Sequence, residues 1–124
     1  MAATKEDAQL VVQLAQLGTQ MADPMARGFI WGETFVSDPR EFFETYPPGT
    51  EEWNYVGGVA AWYETIGTLW KHGLISEELL FDWLYVAGMW ERLGPILVAM
   101  RESSPLLWTN FEAMAQAQAE RLEL

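Results

Sequence analysis

Between Trp53 and Glu112 the chain carries Trp53, Tyr55, Trp62, Tyr63, Trp70, Trp83, Tyr85, Trp90, Trp108 and Phe111. Each of these rings buries far more area than an aliphatic side chain, so rings at this density need one large shared core. The apolar residues around them recur at helical spacing, so the elements enclosing that core are predicted to be helices. No recognisable catalytic motif accompanies them.

A chain of 124 residues is the size of one ordinary domain. It can bury about two thirds of its unfolded surface, enough for a core without staples. Half of the residues are hydrophobic, which argues against global disorder. There is no cysteine, and that removes disulfides, thiolate nucleophiles and cysteine-based zinc sites together. A cytoplasmic location is the corresponding expectation.

Eighteen acidic residues face seven basic ones, for a formal charge of −11. Gripping phosphate backbones or anionic lipid takes clustered Lys and Arg. Here Lys5, Arg27, Arg40, Lys71, Arg92, Arg101 and Arg121 are scattered. Nucleic acid is therefore not an expected partner. The acidity suits solubility, and beyond that a basic protein partner. No signal-type apolar run follows Met1 to Asp7. Ala8 to Ala22 is interrupted by four glutamines and is too short and polar to span a bilayer, so no membrane insertion is expected.

The first helix is predicted from Thr4 or Lys5 to Ala22, within an amphipathic segment 1–23. Leu10, Leu14, Leu17 and Met21 form its apolar stripe, widened by Val11, opposite Gln9, Gln13, Gln16 and Gln20. Asp23-Pro24 interrupts it. Pro24 to Val36 allows a helix weakened by Gly28 and Gly32, and Ser37-Asp38-Pro39 restarts a short one that Pro47-Pro48-Gly49 ends. Thr50 followed by Glu51 and Glu52 opens the central helix, 50–73, with Gly73 as its stop. Gly57, Ala60, Ala61 and Gly67 would let another helix come close. Ser76-Glu77-Glu78 opens a helix with apolar positions to Met100, and Gly94-Pro95 predicts a kink or break near Glu91 to Gly94. Ser103-Ser104-Pro105 predicts the start of the last helix, whose polar end, 116–124, would project and fray.

The candidate site residues are few. His72 is the single histidine, near the end of the central helix, and no H-E-x-x-H or E-x-x-H pattern offers it companions. No metal site and no cofactor are expected. Glu64 shares a face with Ala60 and Gly67, so burial would demand a basic partner. Arg101 lies on the stripe of Trp90, Gly94 and Leu97 and is that partner, with Glu112 competing for it. Trp62, Trp70, Trp83 and Trp90 either fill the core or line a ligand pocket.

The run W-Y-E-T-I-G-T-L-W-K-H-G-L-I-S-E-E-L-L, from Trp62 to Leu80, resembles a bacterial family catalogued only as a domain of unknown function. The shared elements are G-x-L-x-x-x-G-L-I at Gly67 to Ile75, W-E-x-L-x-P at Trp90 to Pro95, Arg101, and W-x-x-F-E at Trp108 to Glu112. The resemblance covers roughly Gln9 to Ala115. It implies an all-helical fold and no known activity. Members often begin with a membrane-spanning or long amphipathic helix, and this chain has the shorter amphipathic version.

The expectation is thus one all-α domain over 1–124, an irregular bundle of four long helices plus one or two short ones. Its expected role is non-enzymatic: a protein-interaction or assembly module, self-associating as a homodimer through Leu10, Leu14, Leu17 and Met21. The alternative is a small-ligand sensor using a pocket among Trp62, Trp70, Trp83 and Trp90.

Overall fold

The computed structural model describes residues 2–123, so Met1 and Leu124, the outer ends of the segments 1–23 and 116–124, lie outside the described residues. The helices are α1 (Lys5–Met21), α2 (Pro24–Ile30), α3 (Pro39–Thr45), α4 (Glu51–Lys71), α5 (Glu77–Trp83), α6 (Val86–Ala99) and α7 (Thr109–Arg121). A 3₁₀ turn, Met100–Glu102, follows α6. Among the described residues there is no strand, and the fold is all-α. Four helices are long, as expected, but three rather than one or two are short.

Most helix starts follow from local chemistry. Thr4 and Asp7 form a capping box on α1. Asp23 and Asp38 cap α2 and α3, each ahead of a proline in the first turn. Thr50 accepts from the Trp53 N–H and Ser76 from the Leu79 N–H, starting α4 and α5. After α4 the chain passes through Gly73 at φ +70, where glycine costs least, and the Leu74 N–H returns to the Leu69 carbonyl.

Two boundaries differ from the expected ones, for one reason. The segment from Ser76 to Met100 breaks at Leu84 and Tyr85, where Leu84 is extended, and Pro95 is accommodated inside α6. The last helix starts at Thr109, not after Ser103-Ser104-Pro105, and Trp108 precedes it at φ 63. Neither α6 nor α7 has a side-chain cap from its own N-cap residue. A distant helix supplies the missing partner at both: Gln118 of α7 accepts from the Ala87 N–H, and Glu64 of α4 accepts from the Phe111 N–H. Because the partners come from tertiary structure, the local cap signals did not set these starts.

α4 is the central element and packs against α1, α2, α6 and α7. Val56, Val59, Ala60 and Ile66 of α4 meet Ile30, Phe42, Leu93, Ile96, Leu97, Phe111 and Met114 in the core. Backbone approach to α4 occurs at two glycines. A Cβ on Gly67 would lie 2.8 Å from the Asn110 carbonyl, and one on Gly58 would lie 2.5 Å from the Met21 carbonyl oxygen. Gly67 was an expected approach point; Gly57 instead faces open space. The expected projecting end, 116–124, is helical to Arg121, and Gln118 within it is buried, only 3 % exposed. Its hydrogen bonds with Ala87, Leu84 and Phe81 hold it there. Among the described residues no helix is long and apolar enough to cross a membrane.

Candidate functional site

The four tryptophans singled out from the sequence do not share one pocket. Trp62 and Trp83 meet edge to face, with centroids 5.7 Å apart. From Trp62 a continuous aromatic path leads through Tyr63, then Phe111, to Trp90, with steps of 5.0, 4.9 and 5.0 Å. Trp90 is thus at the far end of a filled core. Trp70 lies elsewhere, its indole N–H donating to the Glu77 carboxylate at 2.9 Å. The break at Leu84 puts Trp83 in α5 and Trp90 in α6.

The Trp62–Trp83 pair borders a cavity. It has a volume of about 150 Å³ and is walled by Ala15, Gly18, Thr19, Ala22, Arg27, Val59, Trp62, Tyr63, Trp83 and Leu84. The Trp62 indole donates to the Leu14 carbonyl at 2.8 Å and lies against Gly18, where a Cβ would come within 3.0 Å of the ring. Burial pushes the Tyr63 phenol up to about 12, while the nearby Arg27 guanidinium pulls the other way.

Of the two acids expected to compete for Arg101, Glu112 pairs with it and Glu64 does not. Arg101 donates to the Glu112 carboxylate at 2.9 Å and to the Leu107 carbonyl at 2.7 Å, and its guanidinium lies over Trp90, 5.8 Å from the ring centroid. Glu64 does not reach Arg101; its carboxylate accepts from the Phe111 N–H at 2.9 Å. The late start of α7 leaves that N–H as an orphan of the first turn, and Glu64 is the nearest acceptor. The Arg101 Nη2 and the Trp108 indole nitrogen are buried and have no hydrogen-bond partner among the described residues.

The stripe proposed for self-association is largely inward. Leu14 is 5 % exposed and belongs to the core, and Leu10, Val11 and Met21 pack against it. Leu17 is 37 % exposed. α1 packs against α4 and α5. His72 is the exposed C-cap of α4. Among the described residues no three of His, Asp and Glu gather closely enough to hold a metal ion.

One surface cleft escaped the sequence reading. Trp31, Ser37, Tyr85, Gly88, Glu91 and Arg92 border a volume of about 380 Å³ between the end of α2 and the start of α6. Trp31 is 50 % exposed and Tyr85 53 %. The Tyr85 ring lies across Gly88, leaving no room there for a Cβ. Arg92 donates from Nε to the Ile30 carbonyl at 2.8 Å and from Nη2 to the Gly32 carbonyl at 2.6 Å. Its guanidinium also faces the rings of Phe35 and Trp31, at 5.1 and 5.9 Å. The signal in the sequence was Arg92 itself, a charge between Met89, Leu93 and Ile96 on the buried side of a helix.

The family described as a domain of unknown function (DUF4760) matches residues 3–118. The chain belongs to that family. No curated protein and no solved structure matches it. The DUF4760 match takes in the Trp31–Tyr85 cleft, the Trp62–Trp83 cavity and both borrowed helix caps.

Proposed function

We propose that this DUF4760 chain is a non-enzymatic protein-interaction module that receives a basic protein partner at the Trp31–Tyr85 cleft. The observation that carries this reading is two half-exposed aromatic rings beside an arginine pinned by backbone carbonyls. Trp, Tyr and Arg dominate the binding energy of protein interfaces. Rings already held by Gly88 and Arg92 lose little freedom on binding, so the face is preorganised. The −11 charge favours a basic partner, because it accelerates encounter with a positive surface and opposes approach of a second copy.

The test is affinity capture from the native host with the full chain and with a Trp31→Ala, Tyr85→Ala double variant, together with light scattering. The reading expects a basic protein retained by the native chain and lost by the double variant, with the helical content of both unchanged. Identical captured sets would overturn it. A dimer of the native chain that Leu17→Glu converts to monomer would replace the partner with a second copy and restore the assembly reading.

A further inference from the structure

We propose that the cavity between α1, α2, α4 and α5 binds a small monocarboxylate with an apolar body about the size of benzene. Its volume of about 150 Å³ matches a molecule of that size. Its walls are held rather than loose: the Trp62 ring is tied to the Leu14 carbonyl and seated on Gly18, and both Tyr63 and Trp83 stand nearly perpendicular to it. Such walls accept an aromatic or branched aliphatic body without rearrangement.

The polar groups specify the other end of the ligand. Arg27 and Tyr63 line the same cavity. Arg27 forms no salt bridge among the described residues, unlike Arg40, Arg101 and Arg121. An uncommitted guanidinium beside an apolar hollow selects an anion whose remainder is apolar, and its planar fork suits a carboxylate. The Tyr63 phenol stays protonated across the physiological range, so it can donate a second hydrogen bond to that carboxylate. Thr19 contributes little, because its hydroxyl already donates to the Gln16 carbonyl at 2.7 Å. A phosphate would need more donors than the wall provides, and an amine would meet Arg27.

Benzoate is the probe, with toluene and benzylamine as controls, followed by tryptophan fluorescence and amide NMR shifts of the full chain. Benzoate is expected to saturate with a dissociation constant on the order of 1 mM. Toluene should bind about tenfold more weakly and benzylamine not at all. Arg27→Gln, at an exposed position, should weaken benzoate about tenfold. Ala15→Phe, at the exposed rim, should block the cavity and abolish the response. No saturable benzoate shift, equal binding of benzylamine, or benzoate binding undiminished in both variants would overturn the proposal. Because neither Trp31 nor Tyr85 is among these walls, and the two sites share no lining residue, failure here leaves the protein-interaction reading standing, and failure of that reading leaves this one.

Discussion

Gln118 accepts a hydrogen bond from the backbone N–H of Ala87 at 2.8 Å, capping a helix to which it does not belong. Its amide nitrogen donates to the Leu84 carbonyl at 2.7 Å, on the other side of the same break. One side chain therefore satisfies the end of α5 and the start of α6 together.

Replacing Gln118 with alanine strands a part-buried donor and a part-buried acceptor. Each stranded group costs roughly 1–3 kcal/mol. The expected result is a large fall in the denaturant midpoint with little change of slope, and faster amide exchange at Ala87. Gln118→Glu should be intermediate, since a carboxylate still accepts from Ala87 but cannot donate to Leu84. Exchange at Ala87 that is the same in the native chain and in Gln118→Ala would refute the role.

Glu64 does the same for α7 through the Phe111 N–H. Here the adjoining helix also comes close, at Gly67 against Asn110. Glu64→Gln keeps an acceptor and should cost little. Glu64→Ala removes it and should cost about 1–2 kcal/mol. Gly67→Ala pushes a methyl into backbone that cannot yield, and should destabilise more than Glu64→Ala does. Chemical denaturation of the three variants checks that order.

These two caps mark where sequence reasoning stops. The starts at Thr4, Thr50 and Ser76 were legible because a capping side chain lies within three residues of its target. The bounds of α4 were legible from Thr50 with Glu51 and Glu52 at its start and Gly73 at its end. The breaks at Leu84 and Trp108 were not, since their hydrogen-bond partners lie 31 and 47 positions away in sequence. Trp31 and Arg92 were missed for a related reason. Their cleft is assembled from backbone carbonyls of one helix end and a side chain of another, with separations of 60 and 62 positions.

Arg101 holds the connection into α7 by donating to Leu107 and Glu112. Arg101→Ala loses both bonds and the stacking on Trp90, and should cost roughly 1–3 kcal/mol, less than a fully buried ion pair because water reaches the site. Glu112→Gln, whose amide oxygen still accepts, should cost clearly less. Equal losses for the two variants would mean that the charge pair, rather than the hold on Leu107, carries the effect.

Asp7 links the start of α1 to the start of α5. Its carboxylate accepts from the Thr4 N–H at 2.9 Å and from the Ser76 N–H at 2.9 Å. The Thr4 backbone bond, followed by the Ser76 one, holds its carboxyl below the ordinary value of 3.8. A depressed carboxyl favours the folded state wherever the unfolded chain would bind the proton more readily. Its contribution is therefore complete above the unfolded value of 3.8 and is lost as pH falls through the lower folded value. The measurement is the difference in denaturant midpoint between the native chain and Asp7→Ala, followed from pH 7 downward. That difference should be constant near neutrality, begin to shrink as pH falls toward the unfolded value, and fade below it. A difference that persists unchanged into strong acid would show that the Asp7 side chain acts through packing rather than through its charge.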